Sequence, residues 1–490
     1  MVSLSKADIE DVIEIIKDLY LQDKIPWICG YSGGKDSTAV VQLVWTALSQ
    51  LPPDKLQKSV HVISTDTLVE SPVVALWATE SLKKMEQAAK ERKLPIIPHR
   101  LTPTTSNSFW VNLIGRGYPY PRRNFRWCTD RLKIDPSNRF IKSILDAESE
   151  AILVLGTRKS ESASRKMVME DYERKRYRAH LSPNGSFPNS YVFSPIEDWT
   201  NDNVWQYLVQ YENPWGHSNK DLLAMYSGAS ADGECPLVID TSTPSCGNSR
   251  FGCWVCTLVT EDKSMAAMIK NDEEKAWMLP MLEFRNDIAA YGDAKADRDR
   301  RDFRRMDGKL TYRNGRLVHG PYIKEIREYF LRRLLEVEKL IHKIGPETIR
   351  EIPLITQDEL RAIREIWLDE KHEFDDALPR IYEEVTGKPY DDGVISKNKY
   401  FAKPESDLLN RVCHELFPDE QLMPELQHAL LDTEAKSSAI SNNRNVLVNL
   451  ERAIKKSFFR DEEDAEEVDR ARNAKTDPDP EELSLYDFVE

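Results

Sequence analysis

The chain has 490 residues, 40% of them hydrophobic and 31% charged, with a formal net charge of −14. That length accommodates two or three domains with sizeable cores, and seven clustered cysteines are too few for a disulfide scaffold. No apolar run approaches the ~20 residues that cross a bilayer and no apolar signal core opens the chain, so the sequence predicts a cytoplasmic protein without a membrane part.

Apolar positions Ile9, Val12, Ile13, Ile16, Leu19 and Tyr20 fit an amphipathic helix over residues 1–22. Residues 24–30 read as a first buried strand. Residues 28–41, ICGYSGGKDSTAVV, then pass from an apolar run through a glycine turn into a helix opening at Asp36. Gly33 and Gly34 can adopt backbone angles closed to other residues, so that successive amides converge on one anion. The dipole of the following helix points at the same spot, and Lys35 with the hydroxyls of Ser32 and Ser37 completes a cradle for phosphate or pyrophosphate. A Walker loop is excluded, because Cys29 stands where it needs glycine and Asp36 where it needs a hydroxyl. The helix ends before Pro52 and Pro53, and residues 60–64 form a second strand stopping at Asp66. There a carboxylate is placed to hold adenosine or a magnesium ion bridging phosphates, an ordinary turn aspartate being the alternative.

A helix over residues 72–92, a strand over 96–101, a long loop over 102–124, and strands at 151–155 and near 191–193 follow. Strands alternating with such helices predict an α/β fold with a doubly wound, mostly parallel sheet. From residue 261 the periodicity is helical, with helices near 262–290, 321–344, 357–370, 404–416 and 438–457. The predicted organisation is therefore a nucleotide domain over 1–230, a four-cysteine segment over 231–260, a C-terminal helical domain over 261–460 and an acidic, disordered tail over 461–490.

The string SGGKDS after a strand resembles the PP-loop of the ATP pyrophosphatase superfamily. That resemblance implies an adenine nucleotide alpha-hydrolase-like fold, and cleavage of ATP between the α and β phosphates with adenylation of a substrate. Lys35 and Asp36 would then be catalytic, with Ser32, Gly33, Gly34, Lys35, Ser37 and Asp66 binding ATP.

Further along, Arg122, Arg123 and Arg126 lie among aromatics, a pattern suited to a phosphate-bearing substrate, although buried aromatics beside surface arginines give the same letters. Cys128, flanked by Arg126, Arg131 and Lys133, is expected to have a lowered thiol pKa and to be a nucleophile or sulfur carrier. The string GTRKSESASR at the end of a strand places Arg158 and Arg165 to grip phosphate. With SPIEDWTNDNVWQYL downstream, these strings resemble the phosphoadenosine phosphosulfate reductase branch of the superfamily. Cys235, Cys246, Cys253 and Cys256 sit among glycines and prolines that can fold around an ion, and their spacing suits either zinc or an iron–sulfur cluster. Cys29 and Cys413 read as buried structural thiols.

Taken together and in order, the strings SGGKDSTAVVQLVW, STDTLVESP, SFWVNLIGRGYP, RWCTDRLK, LGTRKSES and STPSCGNSRFGCWVC resemble the DndC family of DNA phosphorothioation sulfurtransferases, over about residues 1–330. This resemblance implies ATP pyrophosphatase action coupled to replacing a non-bridging DNA oxygen by sulfur, a 4Fe-4S cluster, a cysteine desulfurase as sulfur donor, and companion phosphorothioation subunits. The rival readings are a sulfonucleotide reductase, an adenylating thiolase acting on a small molecule or RNA, and a non-catalytic ATP-binding scaffold holding zinc. A DNA partner is compatible with the acidic total because the charge is uneven. Residues 461–490 carry 13 acidic against 3 basic side chains, whereas residues 91–180 carry 19 basic against 10 acidic. A second basic run includes Arg298, Arg300, Arg301, Arg304 and Arg305, and reads either as polyanion surface or as a solvated helix face.

Overall fold

A computed structural model describes residues 4–229, 252–313, 316–391, 403–438, 446–457 and 459–476. Cys235, Cys246 and residues 477–490 of the acidic stretch lie outside the described residues.

The chain divides into two compact units. The first comprises Met1–Phe109, Pro121–Asp287 and Leu340–Leu354, and carries a six-stranded sheet in the order β3-β2-β1-β4-β6-β5. The strands are β1 (Trp27–Gly30), β2 (Val60–Thr65), β3 (Ile96–Leu101), β4 (Ala151–Val154), β5 (Ser182–Pro183) and β6 (Ser190–Phe193). All pairings are parallel except that of β5 with β6. The expected doubly wound sheet is therefore present, with one addition: two-residue β5, too short to leave a periodic signal and ending in a proline that suits an edge.

Period-two alternation feeds two cores from the same strands. Trp27, Cys29, Val60, Val62, Ile152 and Val154 face one core. Ile28, Ile63, Ala151 and Leu153 face the other, where Ile141 of helix Asp135–Glu148 meets them. The first core is roofed by α1 (Lys6–Leu21), α2 (Lys35–Ser49) and α3 (Pro72–Arg92). In α1, Ile9, Ile13, Ile16 and Tyr20 bury one stripe, and a reciprocal Ser5–Asp8 capping box starts the helix. Pro72 opens α3 at its first turn, where no amide partner is lost, and Lys93 closes it in the left-handed region.

The expected loop over 102–124 is only partly a loop. Val111–Gly115 forms a wide π-helical turn whose five residues are all buried. Trp110–Tyr120 belongs to the second unit, with Ile288–Lys339 and Ile355–Glu490. Within that unit Trp367 Nε1 donates to Ile114 O at 3.1 Å, and Tyr322 N donates to Gly117 O at 2.7 Å. Among its described residues the second unit's regular structure is helical apart from the two-stranded Tyr312–Arg313 and Arg316–Leu317 pair. Its helices include Gln357–Glu365, Ala377–Thr386, Lys403–Leu416, Met423–Ser438 and Val446–Lys456. The acidic stretch read as a disordered tail is helical over Glu462–Thr476, with Ala465 fully buried and Glu462 Oε1 3.1 Å from His319 Nε2.

Candidate functional site

Strand order reverses between β1 and β4. Chain leaving β1 winds outward through β2 and β3, then returns to place β4 on β1's other side. In open α/β sheets this switch point, at the carboxyl ends of the strands, is where ligands bind. Three segments emerge at carboxyl ends here: 31–34 after β1, 66–71 after β2 and 155–162 after β4.

The glycine turn has the conformation its sequence calls for. Gly33 has φ +74°, a left-handed angle open to glycine, and a Cβ there would stand 3.3 Å from Ala78 Cβ. Gly34 is extended and caps α2. Ser37 Oγ donates to Gly34 O at 3.0 Å, accepts from Ser32 N at 3.2 Å, and lies 3.2 Å from Ser32 Oγ. Trp77 Nε1 donates to Gly33 O at 3.2 Å, fixing the turn against α3. Ser32, Gly33, Gly34, Lys35 and Ser37 are thus brought together at the opening of α2. The first amides of that helix have no intrahelical partner, an arrangement able to receive an anion. Lys35, 7% exposed, has its Nζ 3.8 Å from Asp36 Oδ2.

The loop after β4 closes on this turn. At Gly156 a Cβ would lie 3.0 Å from Asp36 C and O, so any other residue would push the two backbones apart by a few tenths of an ångström. Arg158, 4% exposed, donates through Nε to Asp36 Oδ1 at 2.8 Å and through Nη1 to Ser160 Oγ at 2.9 Å and Trp199 O at 3.3 Å. Arg158 and Asp36 therefore form a buried clasp joining the two loops of the switch point. Arg165 pairs with Glu161 one turn before it. Asp66 accepts from Leu68 N at 2.8 Å and pairs with Arg100, the geometry of a turn aspartate with a neighbouring cation.

Arg122, Arg123 and Arg126 cluster in a short turn. Arg122 and Phe125 form a β-bridge, and Arg126 Nε donates to Arg123 O at 3.0 Å. Arg123 and Arg126 are exposed, whereas the neighbouring aromatics Phe109 and Trp127 are stacked and buried as core. The second basic run is divided, with Arg298 exposed and Arg301 and Arg304 paired with acids of the same unit. Arg304, 4% exposed, pairs with Asp302 and Glu425 at 2.7 Å each, and Arg301 pairs with Asp297 at 3.1 Å.

The segment after β2 also holds the cysteine pair. Glu70 and Cys253 form an antiparallel bridge, Trp254 N donates to Val69 O at 3.0 Å, and Thr67 Oγ1 lies 3.3 Å from Cys253 Sγ. Cys256 N turns back to Cys253 O at 2.9 Å. Fully buried Arg285 braces the backbone of residues 256–260, donating to Cys256 O and Thr260 O at 2.8 Å each and to Val259 O. Burial pushes the Cys253 thiol up to about 12, helped by Glu70.

Cys128 departs from expectation. Burial raises its thiol pKa rather than lowering it, and Cys256 adds to the rise while Lys133 opposes it. Arg131 Nη1 donates to Asn107 Oδ1 at 2.7 Å, and Lys133 stands 3.6 Å from Glu70. Cys128, Cys253 and Cys256 thus form one electrostatic neighbourhood. Among the described residues no three His, Cys, Asp or Glu side chains group closely enough to hold a metal ion. Cys29 and Cys413 are buried thiols as expected.

Residues 26–258 match the phosphoadenosine phosphosulfate reductase domain. This is just under half of the chain, and it spans the sheet, the glycine turn and the cysteine pair. The chain is 28% identical over 205 residues to an uncharacterized protein of Methanocaldococcus jannaschii, covering 42% of this chain and 36% of that relative, about a third of its length. Among solved structures it is similar to phosphoadenylyl-sulfate reductase from Candida auris in a phosphate complex, at 14% identity and TM-score 0.27 over 43% of this chain and 88% of that one. Another is the U34-tRNA thiolase NcsA from Methanococcus maripaludis with its [4Fe-4S] cluster, at 11% identity and TM-score 0.28 over 59% and 80%. Among the described residues no helix is long and apolar enough to cross a membrane.

Sequence reasoning missed several groups that the fold supplies: Tyr226, whose hydroxyl meets the start of α2, Thr67 beside Cys253, and Arg285. None carries a local signal, because each reaches its partner across the fold rather than along the chain.

Proposed function

We propose that this protein binds ATP on the turn 32–37, releases pyrophosphate, and uses the resulting adenylate to replace a non-bridging oxygen of a DNA backbone phosphate by sulfur. The supporting observation is the seat itself: a left-handed Gly33, a Gly34-capped α2, and Lys35 with Ser32 and Ser37 at the switch point of a parallel sheet. A phosphodiester oxygen attacks the α-phosphorus of ATP, the α–β bridging bond breaks, and pyrophosphate departs with its electron pair. A sulfide-level sulfur then attacks the DNA phosphorus, and AMP leaves carrying the former DNA oxygen. Lys35 and the opening amides of α2 stabilise charge building on the departing pyrophosphate. The Arg158–Asp36 clasp keeps the two loops in register. Arg122, Arg123, Arg126 and Arg165 are the groups offered to the substrate phosphates, Asp66 to the nucleotide or its magnesium ion, and Cys128 to the sulfur.

Cys253 and Cys256 suit a soft metal by the chemistry of their donors, and with Cys235 and Cys246 would hold a 4Fe-4S cluster that supplies a site for sulfide. A cysteine desulfurase as donor, and companion subunits that read DNA sequence, belong to the same proposal.

Two measurements test it. Purified protein with magnesium and ATP should release pyrophosphate, and Lys35→Ala should lower the rate about 10- to 100-fold, as loss of a charge-assisted contact does. Digested DNA from cells carrying the gene should contain phosphorothioate dinucleotides that a deletion strain lacks. No pyrophosphate from the wild type sinks the enzymatic reading. The match to a reductase domain favours sulfonucleotide reduction as the second reading, and release of sulfite from phosphoadenosine phosphosulfate at the expense of an added dithiol, which leaves as disulfide, with DNA unmodified, would favour it.

A further inference from the structure

The turn after β2 is bent towards the cysteine pair. Asp66 Oδ1 accepts from Leu68 N at 2.8 Å, and Leu68 has φ 64°, a left-handed angle uncommon for a bulky residue. Such an angle persists only where the surroundings fix it. Here they do so from the far side of the chain, through the Glu70–Cys253 bridge and the 3.0 Å bond from Trp254 N to Val69 O. The result is that Thr67 is fully buried beside Cys253. Its Oγ1 stands 3.3 Å from Cys253 Sγ and donates to Glu70 Oε1 at 3.3 Å. Lys133 Nζ lies 3.6 Å from the same Glu70 oxygen.

A hydroxyl has one proton to give and two lone pairs to receive with. Beside a Cys253 thiol, Thr67 gives its proton to Glu70 and accepts the one on sulfur. A metal-bound Cys253 is a thiolate with no proton to offer. The same contact then holds only as O–H to sulfur, and Glu70 keeps Lys133 as its neighbour. We propose that Thr67 sets the reduction potential of the metal centre by donating its hydroxyl to the Cys253 sulfur. The inference rests on the iron–sulfur reading of the cysteines and adds to it a residue 186 positions from the ligand it touches. A hydrogen bond draws charge from the ligating sulfur, so the more electron-rich reduced cluster gains more from it than the oxidised one. The Thr67 hydroxyl therefore raises the potential. The couple is one electron, taken from an added reductant, and no proton is gained because the hydroxyl keeps its own. The branched Cβ of threonine restricts χ1 and holds the hydroxyl in that direction.

Anaerobic titration with dithionite, followed by the cluster's visible absorbance, tests this on reconstituted full-length wild type, Thr67→Ser and Thr67→Val, with iron content measured for each. Valine keeps the shape and loses the hydroxyl. It is expected to move the one-electron equilibrium about tenfold towards the oxidised form, a potential about 59 mV more negative. Serine, which keeps the hydroxyl, should stay close to the wild type. An unchanged or higher potential in Thr67→Val overturns the proposal, as does a serine variant that shifts as far as valine. If Thr67→Val takes up no iron, Thr67→Ala replaces it in the titration. Failure of both to load iron while serine loads it would make the hydroxyl structural and also overturn the tuning role. A colourless wild type that holds zinc sinks the iron–sulfur reading itself, and this inference with it.

Discussion

Arg158 illustrates how one residue's role is decided by what surrounds it. From its strand-end string it is a phosphate gripper, yet its guanidinium is buried and spent on Asp36, Ser160 and the Trp199 carbonyl. Removing one partner of a buried pair leaves the other charge uncompensated, at about 3–5 kcal/mol for a fully buried pair. Asp36 is a quarter exposed, so about 2 kcal/mol is the expected cost of Arg158→Met. Thermal melting should therefore fall by about 4–8 °C. A phosphate contact alone would leave melting unchanged and raise only the KM for ATP. At Cys128 the raised thiol pKa means a neutral thiol at neutral pH. In metal-free protein its alkylation by iodoacetamide should be slower than that of free cysteine at pH 7.5 and still climbing above pH 9. A rate levelling off below pH 8 would contradict the burial argument.

At the scale of single elements, the glycine turn depends on one backbone angle. Gly33→Ala forces a left-handed alanine, costing roughly 1–2 kcal/mol, and sets its Cβ against Ala78. The expected result is roughly tenfold weaker ATP binding by calorimetry, with melting lowered by only a few degrees. The β2–β3 pair carries a pH effect. His61 Nδ1 lies 3.0 Å from His99 Nε2, and burial first, then the His99 charge, lowers the His61 pKa to about 4. The unfolded chain binds that proton near pH 6.5, the native one only near 4. The sheet's stability is therefore full above about pH 6.5 and is lost as pH falls from there towards 4. Allowing for partial exposure, the loss is about 1–2 kcal/mol, and His61→Gln should flatten the melting curve's pH dependence over that window.

For the molecule as a whole, the acidic end is the informative case. Composition alone predicts a solvated tail, whereas the helix Glu462–Thr476 buries Ala465 and brings Glu462 to His319. Deleting residues 461–490 is therefore expected to lower melting of the helical unit, read by circular dichroism at 222 nm, by a few degrees. Unchanged melting would return the stretch to the status of a tail. Within the basic run of residues 295–316, Arg301 and Arg304 are taken up by acids of the same unit, while Arg298, Lys309 and Arg313 stay exposed.

Period-two strands, the bounds of α3 at Pro72 and Arg92, and the glycine turn after β1 were all legible in the chain. Each depends on interactions within a few residues: alternation, a proline at a first turn, a glycine where φ is positive. The short edge strand β5, the buried turn Val111–Gly115, the Arg158–Asp36 clasp, and the approach of Cys253 to Thr67 were not legible. These are decided by which distant segments the crossovers set side by side. A charge's partner and a thiol's solvent are properties of that arrangement, so the same letters that spelled a phosphate-gripping arginine and an activated cysteine became a clasp on Asp36 and a raised pKa.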